Sequence, residues 1–298
     1  MPVSVSLQRV PASVTWPEYL ILLAALAFGF GGTAWLVRRY DLRRPNFLGR
    51  RIPFVAGLAF VLGGEFFYAC EALSQGWRNS LASVYFLVTL GFGGLGLLDD
   101  LKGDRSAGGF RGHFQMLRAG RVTTGAVKAI GGGLLSLVAG YYITTPGPLW
   151  ATGLSALLIA LSANTLNLLD LRPGRCLFGF GVGALTLLGV LLSQHSAGAG
   201  LLLWAAAAFA VILYPLDAGG SVMLGDTGAN AFGAALGVAG AIFFSRWEQG
   251  IVVAALLLFQ VWCERHSLTR LIESHPTLRA LDAKIGVREE PDRSEVGR

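Results

Sequence analysis

Three short segments carry carboxylates and amides at spacings suited to handling a phosphate together with a divalent cation. Gly96-Leu-Leu-Asp99-Asp100-Leu-Lys102 sets two acids side by side, and Asn164-Thr-Leu-Asn167-Leu-Leu-Asp170 repeats a polar group every third residue. Met223-Leu-Gly225-Asp226-Thr227-Gly228-Ala-Asn230 holds an acid between glycines. Adjacent carboxylates repel, and a divalent cation relieves the repulsion. Mg²⁺ suits a site with one or two carboxylates completed by phosphate oxygens. Asn164, Asn167 and Asp170 recur at a helical spacing that keeps them within about a third of the circumference. The glycines around Asp226 let its backbone approach a ligand closely. Each segment alone also has a plainer reading: a solvated helix end, hydrogen bonding between helices, or an N-cap. Taken together with Lys102, Lys128, Arg172 and Arg175, they read as a site for Mg²⁺ and a phosphorylated substrate.

The elements that must position these residues are membrane helices. Of the 298 residues 53% are hydrophobic and 14% charged, against about 25% charged in an ordinary soluble domain. The missing charge is absent from long continuous runs, and a helix needs about 20 apolar residues to cross a bilayer. Nine spans are expected, at roughly 17–37, 53–71, 80–98, 125–143, 149–168, 176–192, 199–216, 228–245 and 249–263. The fold class is therefore all-α, a polytopic helical bundle. Its parts are an outer N-terminus (1–16), a membrane domain (17–263) and an inner tail (264–298).

With the N-terminus outside, all but three of the 24 Lys and Arg (Arg9, Arg78 and Arg246) fall on the inner side. Cationic loops stay on the cytoplasmic side. The expected localisation is thus a cell membrane, multi-pass, with all three acidic segments on the cytoplasmic face. The net charge of +6 belongs to this topology and to anionic membrane lipids. No stretch interleaves basic and aromatic residues as a nucleic-acid surface does, so no nucleic-acid partner is expected.

Other features point less far. The first helix is too long for a signal-peptide core and is read as retained. Cys70, Cys176 and Cys263 lie near opposite faces and imply neither a disulfide framework nor a metal site. Gly91-Phe-Gly-Gly-Leu-Gly96 matches a dinucleotide fingerprint letter by letter. It sits inside a span with no βα unit, so close helix packing is its expected role. Glu65 is the main acid at membrane depth. Leu268, Leu271, Ile272, His275 and Leu278 fall at helical spacing, with Pro276 interrupting, which predicts an interfacial amphipathic helix. Disorder is expected after Val287.

The three motifs, in this order and at these helix ends, resemble those of the polyprenyl-phosphate N-acetylhexosamine-1-phosphate transferases. That superfamily includes the phospho-MurNAc-pentapeptide translocase and the enzymes that begin teichoic acid and O-antigen synthesis. Gly-Leu-Leu-Asp99-Asp100 resembles its acidic pair after the third helix, and Asn164-x-x-Asn167-x-x-Asp170 its Asn/Asn/Asp signature. Met-Leu-Gly225-Asp226-Thr-Gly228 resembles its Met-Gly-Asp-Ser-Gly signature. The resemblance implies transfer of a sugar-1-phosphate from a UDP-sugar to a polyprenyl phosphate such as undecaprenyl phosphate, with release of UMP, for cell-envelope polysaccharide synthesis. It also implies Mg²⁺ held by Asp226 and Asp100, and a catalytic role for Asp99, Asp100 and Asp170. Asp99 would orient or deprotonate the lipid phosphate. Asn164, Asn167, Lys128, Arg172 and Arg175 would bind substrate. Homodimers occur in that family.

Two departures stand out. A second acid that the family carries after Asp170 is Pro173 here, within Asp170-Leu-Arg-Pro173-Gly174-Arg175. The histidine-rich last inner loop is reduced to His266 and His275. They define the alternative: a non-catalytic relative that binds polyprenyl phosphate or a phosphosugar and scaffolds envelope synthesis. A transporter is the third reading, and it predicts polar groups near the bilayer midplane.

Overall fold

The computed structural model describes residues 16–77, 80–103, 116, 123–193 and 200–287. Arg9, Arg78, most of the basic stretch 109–124 and the end of the chain after Val287 lie outside the described residues. The helices are α1 (Trp16–Tyr40), α2 (Leu58–Gln75), α3 (Leu81–Lys102), α4 (Thr124–Thr144), α5 (Leu149–Leu169) and α6 (Arg175–Ser193). They continue with α7 (Leu201–Ala218), α8 (Gly225–Phe243), α9 (Arg246–Arg265) and two short ones, α10 (Leu268–Ser274) and α11 (Pro276–Ile285). The fold is an all-α multi-pass bundle. Six described helices (α1, α3, α4, α5, α6 and α7) are long and apolar enough to cross a membrane, or seven if α9 and α10, bent by 86°, form one span.

The other two long helices, α2 and α8, are less apolar for reasons visible in their sequences. α2 carries Glu65 and Glu71, and both are buried in the bundle. Thr89 of α3 donates to Glu65 at 2.6 Å. α8 is rich in Gly and Ala and is the centre of the fold, buried from Thr227 through Ala235. Its small residues let neighbours come close, the usual device where lipid supplies no hydrophobic drive. A side chain added at Gly233 would strike the backbone of Ala163 at 2.6 Å, and one at Gly237 would strike Ile159. Phe232 of α8 stacks on Phe60 with centroids 4.3 Å apart and meets Phe180 edge-on at 5.1 Å.

The first inner segment is not wholly irregular. Arg43–Pro45 (β1) and Arg51–Pro53 (β2) pair as an antiparallel hairpin, an addition to the expected all-α design. Proline is unsuited to a helix interior and tolerated at a sheet edge. Between the strands Asn46 accepts from the backbone of Leu48 and Arg50 at 2.9 and 3.0 Å, and Gly49 takes φ 73°. The chain after β2 then pairs with the chain before α8. Met223 N donates to Pro53 O (2.8 Å), Ala56 N to Met223 O (3.0 Å) and Gly57 N to Leu224 O (2.9 Å). The hairpin thus fixes the entry of α8, the helix that carries Asp226.

Two glutamines pin α9 to α5. Near one end Ser155 Oγ donates to Gln249 Oε1 at 3.1 Å, and Arg246 donates to the same Ser155 hydroxyl. Nearer the other end Asn164 donates to Gln260 at 2.8 Å, while Gln260 donates to Leu161 O and Thr165 Oγ1. After α9 the tail forms α10, which has no buried residue, and α11, which Pro276 begins and of which only Asp282 is buried. Buried Arg175 grips Asp282 with two bonds, 2.6 and 2.9 Å, and Tyr214 donates to Ile285 O at 2.9 Å. An acid on the packed face of α11 needs a cation, and Arg175 supplies it.

Candidate active site

The ends of α3 and α5 and the start of α8 converge, bringing together side chains far apart in sequence. Asp100 Oδ1 accepts from Asp226 N at 3.0 Å, and its Oδ2 accepts from Thr227 N at 2.9 Å and Thr227 Oγ1 at 2.5 Å. The first N–H groups of a helix have no partner within it. Asp100, reaching across from α3, supplies one for α8. A carboxylate offers about four acceptor positions, so this one keeps a single position on Oδ1.

Asp99, the other member of the pair, faces a different neighbour. Lys128 of α4 places its ammonium 3.1 Å from Asp99 Oδ2 and 2.5 Å from Asp226 Oδ2. Asn167 completes the group. With its amide turned to satisfy both neighbours, its nitrogen donates to Asp226 Oδ1 at 3.0 Å and its oxygen accepts from Lys128 at 3.2 Å. Asn230, one turn into α8, donates to the carbonyl of Asp226 at 2.6 Å.

A close approach makes this geometry feasible. A side chain added at Gly96 would run into the backbone of Asp226 and Thr227, and one at Gly93 into Val61. Of the glycines in the run 91–96, Gly91, Gly93 and Gly96 are packing residues, as expected, while Gly94 faces open space.

This group forms a wall between two cavities. The smaller, about 260 Å³, is bordered by Asp100, Asp170, Asp217 and Asp226, together with Phe47 of the hairpin and Arg172. The larger, about 700 Å³, is bordered by Asp99, Lys128, Asn164, Asn167, Asn230 and Gln260 near the wall. Farther along, Phe92, Gly132, Gly133, Ala160 and Leu161 make it apolar. Asn164 and Asn167 therefore share one cavity, while Asp170, where the last turn of α5 ends, opens onto the other.

The small cavity is electrostatically unbalanced. Burial pushes the Asp170 carboxyl well above the usual carboxylate range, and the charges of Asp217, Asp226 and Asp100 push it further, opposed by the backbone N–H of Gly225. Among the described residues no group of three or more His, Cys, Asp or Glu side chains is placed to hold a metal ion. Mg²⁺ needs only one or two carboxylates, with water and phosphate completing its shell, so Asp226 with the open position on Asp100 could hold it.

The remaining predicted residues divide. Arg172 borders the small cavity, 3.7 Å from Glu273 of α10. Arg175 borders neither cavity and is taken up by Asp282. Lys102 is exposed. Asn164 borders the groove but spends its amide on Gln260. Pro173 lies on the small cavity, where an acid was looked for. Asp217 is the residue that sequence reasoning did not single out. It is 3% exposed and its Oδ2 accepts from Gly174 N at 2.8 Å. The available signal was an acid two residues after Pro215 at the end of an otherwise apolar helix. No protein-family model matches the sequence, and no characterised protein matches it significantly.

Proposed function

We propose that this protein is a membrane-embedded, Mg²⁺-dependent phosphoglycosyl transferase. It moves a sugar-1-phosphate from a UDP-sugar to a polyprenyl phosphate and releases UMP. All nine long helices cross the membrane, the N-terminus is outside, and the acid-bearing end faces the cytoplasm of a cell. The reading rests on one observation above all: Asp99, Lys128 and Asp226 form a single charged group in the wall between an acid-lined cavity and a larger, partly apolar groove.

Two substrates of opposite character fit the two sides. The groove takes the lipid, whose phosphate meets Lys128 and Asn167 at the wall. The small cavity takes the nucleotide diphosphate, with Arg172 at its border to meet anionic charge. Asp226, with the open position on Asp100, would hold Mg²⁺, which when bound neutralises charge on the diphosphate. Asp99 orients the lipid phosphate or accepts its proton. Positioning and charge neutralisation are most of what phosphoryl transfer asks of a protein.

The test is UMP release by purified protein given undecaprenyl phosphate, Mg²⁺ and a panel of UDP-sugars, with Asp99→Asn and Asp226→Asn alongside. Release that needs lipid and metal and vanishes in both variants supports the transferase. No release from folded protein across the panel favours the scaffold that binds without turnover, for which Pro173 on the cavity is the structural argument.

A further inference from the structure

Lys128 sits where a cation would. Its ammonium is within 3.2 Å of three oxygens, from Asp99, Asp226 and the Asn167 amide. Its side chain is only 17% exposed, so it is held in the wall and not waving in solvent. Two of those oxygens are carboxylate, and one belongs to the residue best placed to hold a divalent ion. A positive charge at 2.5 Å from Asp226 opposes the approach of Mg²⁺ to the same oxygen, since the two cations would repel strongly in a partly dehydrated wall. The ammonium is also on a flexible four-carbon stem with three donors, and it borders the groove in which an anionic headgroup would lie.

We propose that Lys128 is the resident cation of this site: its ammonium fills the place between Asp99 and Asp226 until a phosphate draws it away, and only then does a divalent ion bind tightly. The inference rests on the proposed Mg²⁺ site. It makes metal and phosphate binding cooperative, because each favours the arrangement in which Lys128 has left Asp226. Linkage then requires the coupling to be reciprocal. The benefit to the protein is order: the acids stay neutralised when no substrate is present, and the ion is recruited together with the phosphate it serves.

Mn²⁺ binding, followed by electron paramagnetic resonance in detergent-solubilised full-length protein, tests this without turnover. Affinity is measured with and without undecaprenyl phosphate for the native protein, Lys128→Met and Asp226→Asn. Native protein should bind Mn²⁺ weakly alone and more tightly with undecaprenyl phosphate. Lys128→Met should bind Mn²⁺ alone at least about fivefold more tightly, the lower end of typical coupling between sites, and the enhancement by undecaprenyl phosphate should shrink by a similar factor. If Lys128→Met tightens Mn²⁺ but the lipid phosphate enhances binding as much as in native protein, Lys128 acts as a fixed charge and the exchange is refuted. If Asp226→Asn loses Mn²⁺ and Lys128→Met binds it no better than native, this inference fails while the metal site stands. If Asp226→Asn binds like native protein, the proposed metal site itself falls, and this inference with it.

Discussion

Asp100 and Thr227 are joined twice over, with both the backbone nitrogen and the hydroxyl of Thr227 on the same carboxylate oxygen of Asp100. Asp100 is therefore an anchor for the first turn of α8, and through it a positioning residue for Asp226. The prediction is a structural cost on top of any chemical one. Asp100→Ala leaves three donors without their acceptor and should lower stability by about 1–3 kcal/mol. Asp99→Ala removes no cap and should cost less. Thermal unfolding of the two variants in the same detergent decides the matter, and equal losses would contradict the anchoring role.

Gly96 supplies the clearance that this contact needs. Gly96→Ala should drive α3 off the start of α8, at an overpacking cost of about 1–3 kcal/mol, and displace Asp226. Gly94 has open space around it, so Gly94→Ala is the control. Should both alanine variants keep native stability and Mn²⁺ binding, the close approach of α3 to Asp226 is not required.

The pH dependence follows from Asp170. Its carboxyl is raised by burial and by Asp217, Asp226 and Asp100. A raised carboxyl is protonated more readily in the folded chain than in the unfolded one. Its contribution to stability is complete below the ordinary carboxylate value, about pH 4, and is lost as pH rises through the folded-state value. A divalent cation offsets that loss by favouring the ionised form. The rise in melting temperature caused by Mg²⁺ should grow as pH rises above the ordinary carboxylate value, about 4, and Asp170→Asn should flatten the trend. An unchanged trend in that variant assigns the effect to another group.

Arg175 tests a structural ion pair against a substrate contact. Removing one partner of a buried pair costs up to about 3–5 kcal/mol, here by taking the guanidinium from Asp282, which is 7% exposed. Arg175→Ala should therefore free α11, read as faster hydrogen exchange across 276–285, with much the same result from Asp282→Ala. A variant with normal exchange there but weakened UDP binding would return Arg175 to the substrate site.

Much of this was legible because lipid imposes simple rules. The long apolar runs announced the helices, and the three acidic segments announced where the helix ends meet. The segments that charge alone grouped on one side do touch one another: the hairpin, Asp100, Asp170 and the start of α8 border one cavity. What was not legible depended on contacts between distant residues. Asp100 and Asp99 look equivalent in a list of acids, and only the position of Thr227 makes one a cap. Arg175 looks like a phosphate ligand until Asp282, over a hundred positions later, is found beside it. α2 and α8 read as ordinary spans, whereas their lower hydropathy reflects packing against protein on most sides. The hairpin was hidden because two three-residue strands leave almost no periodic signal.

The two glutamine clamps have a mechanical consequence. Ser155 and Asn164, where Gln249 and Gln260 take hold, are about 14 Å apart along α5 at 1.5 Å per residue. Two helices bolted together at separated points behave as one beam and cannot scissor about a single pivot. The opposite bank of the groove is α4, where a side chain added at Gly132 would press on Phe92 at 2.9 Å while Gly133 faces open space. In this bundle α5 and α9 together form one rigid bank of the groove.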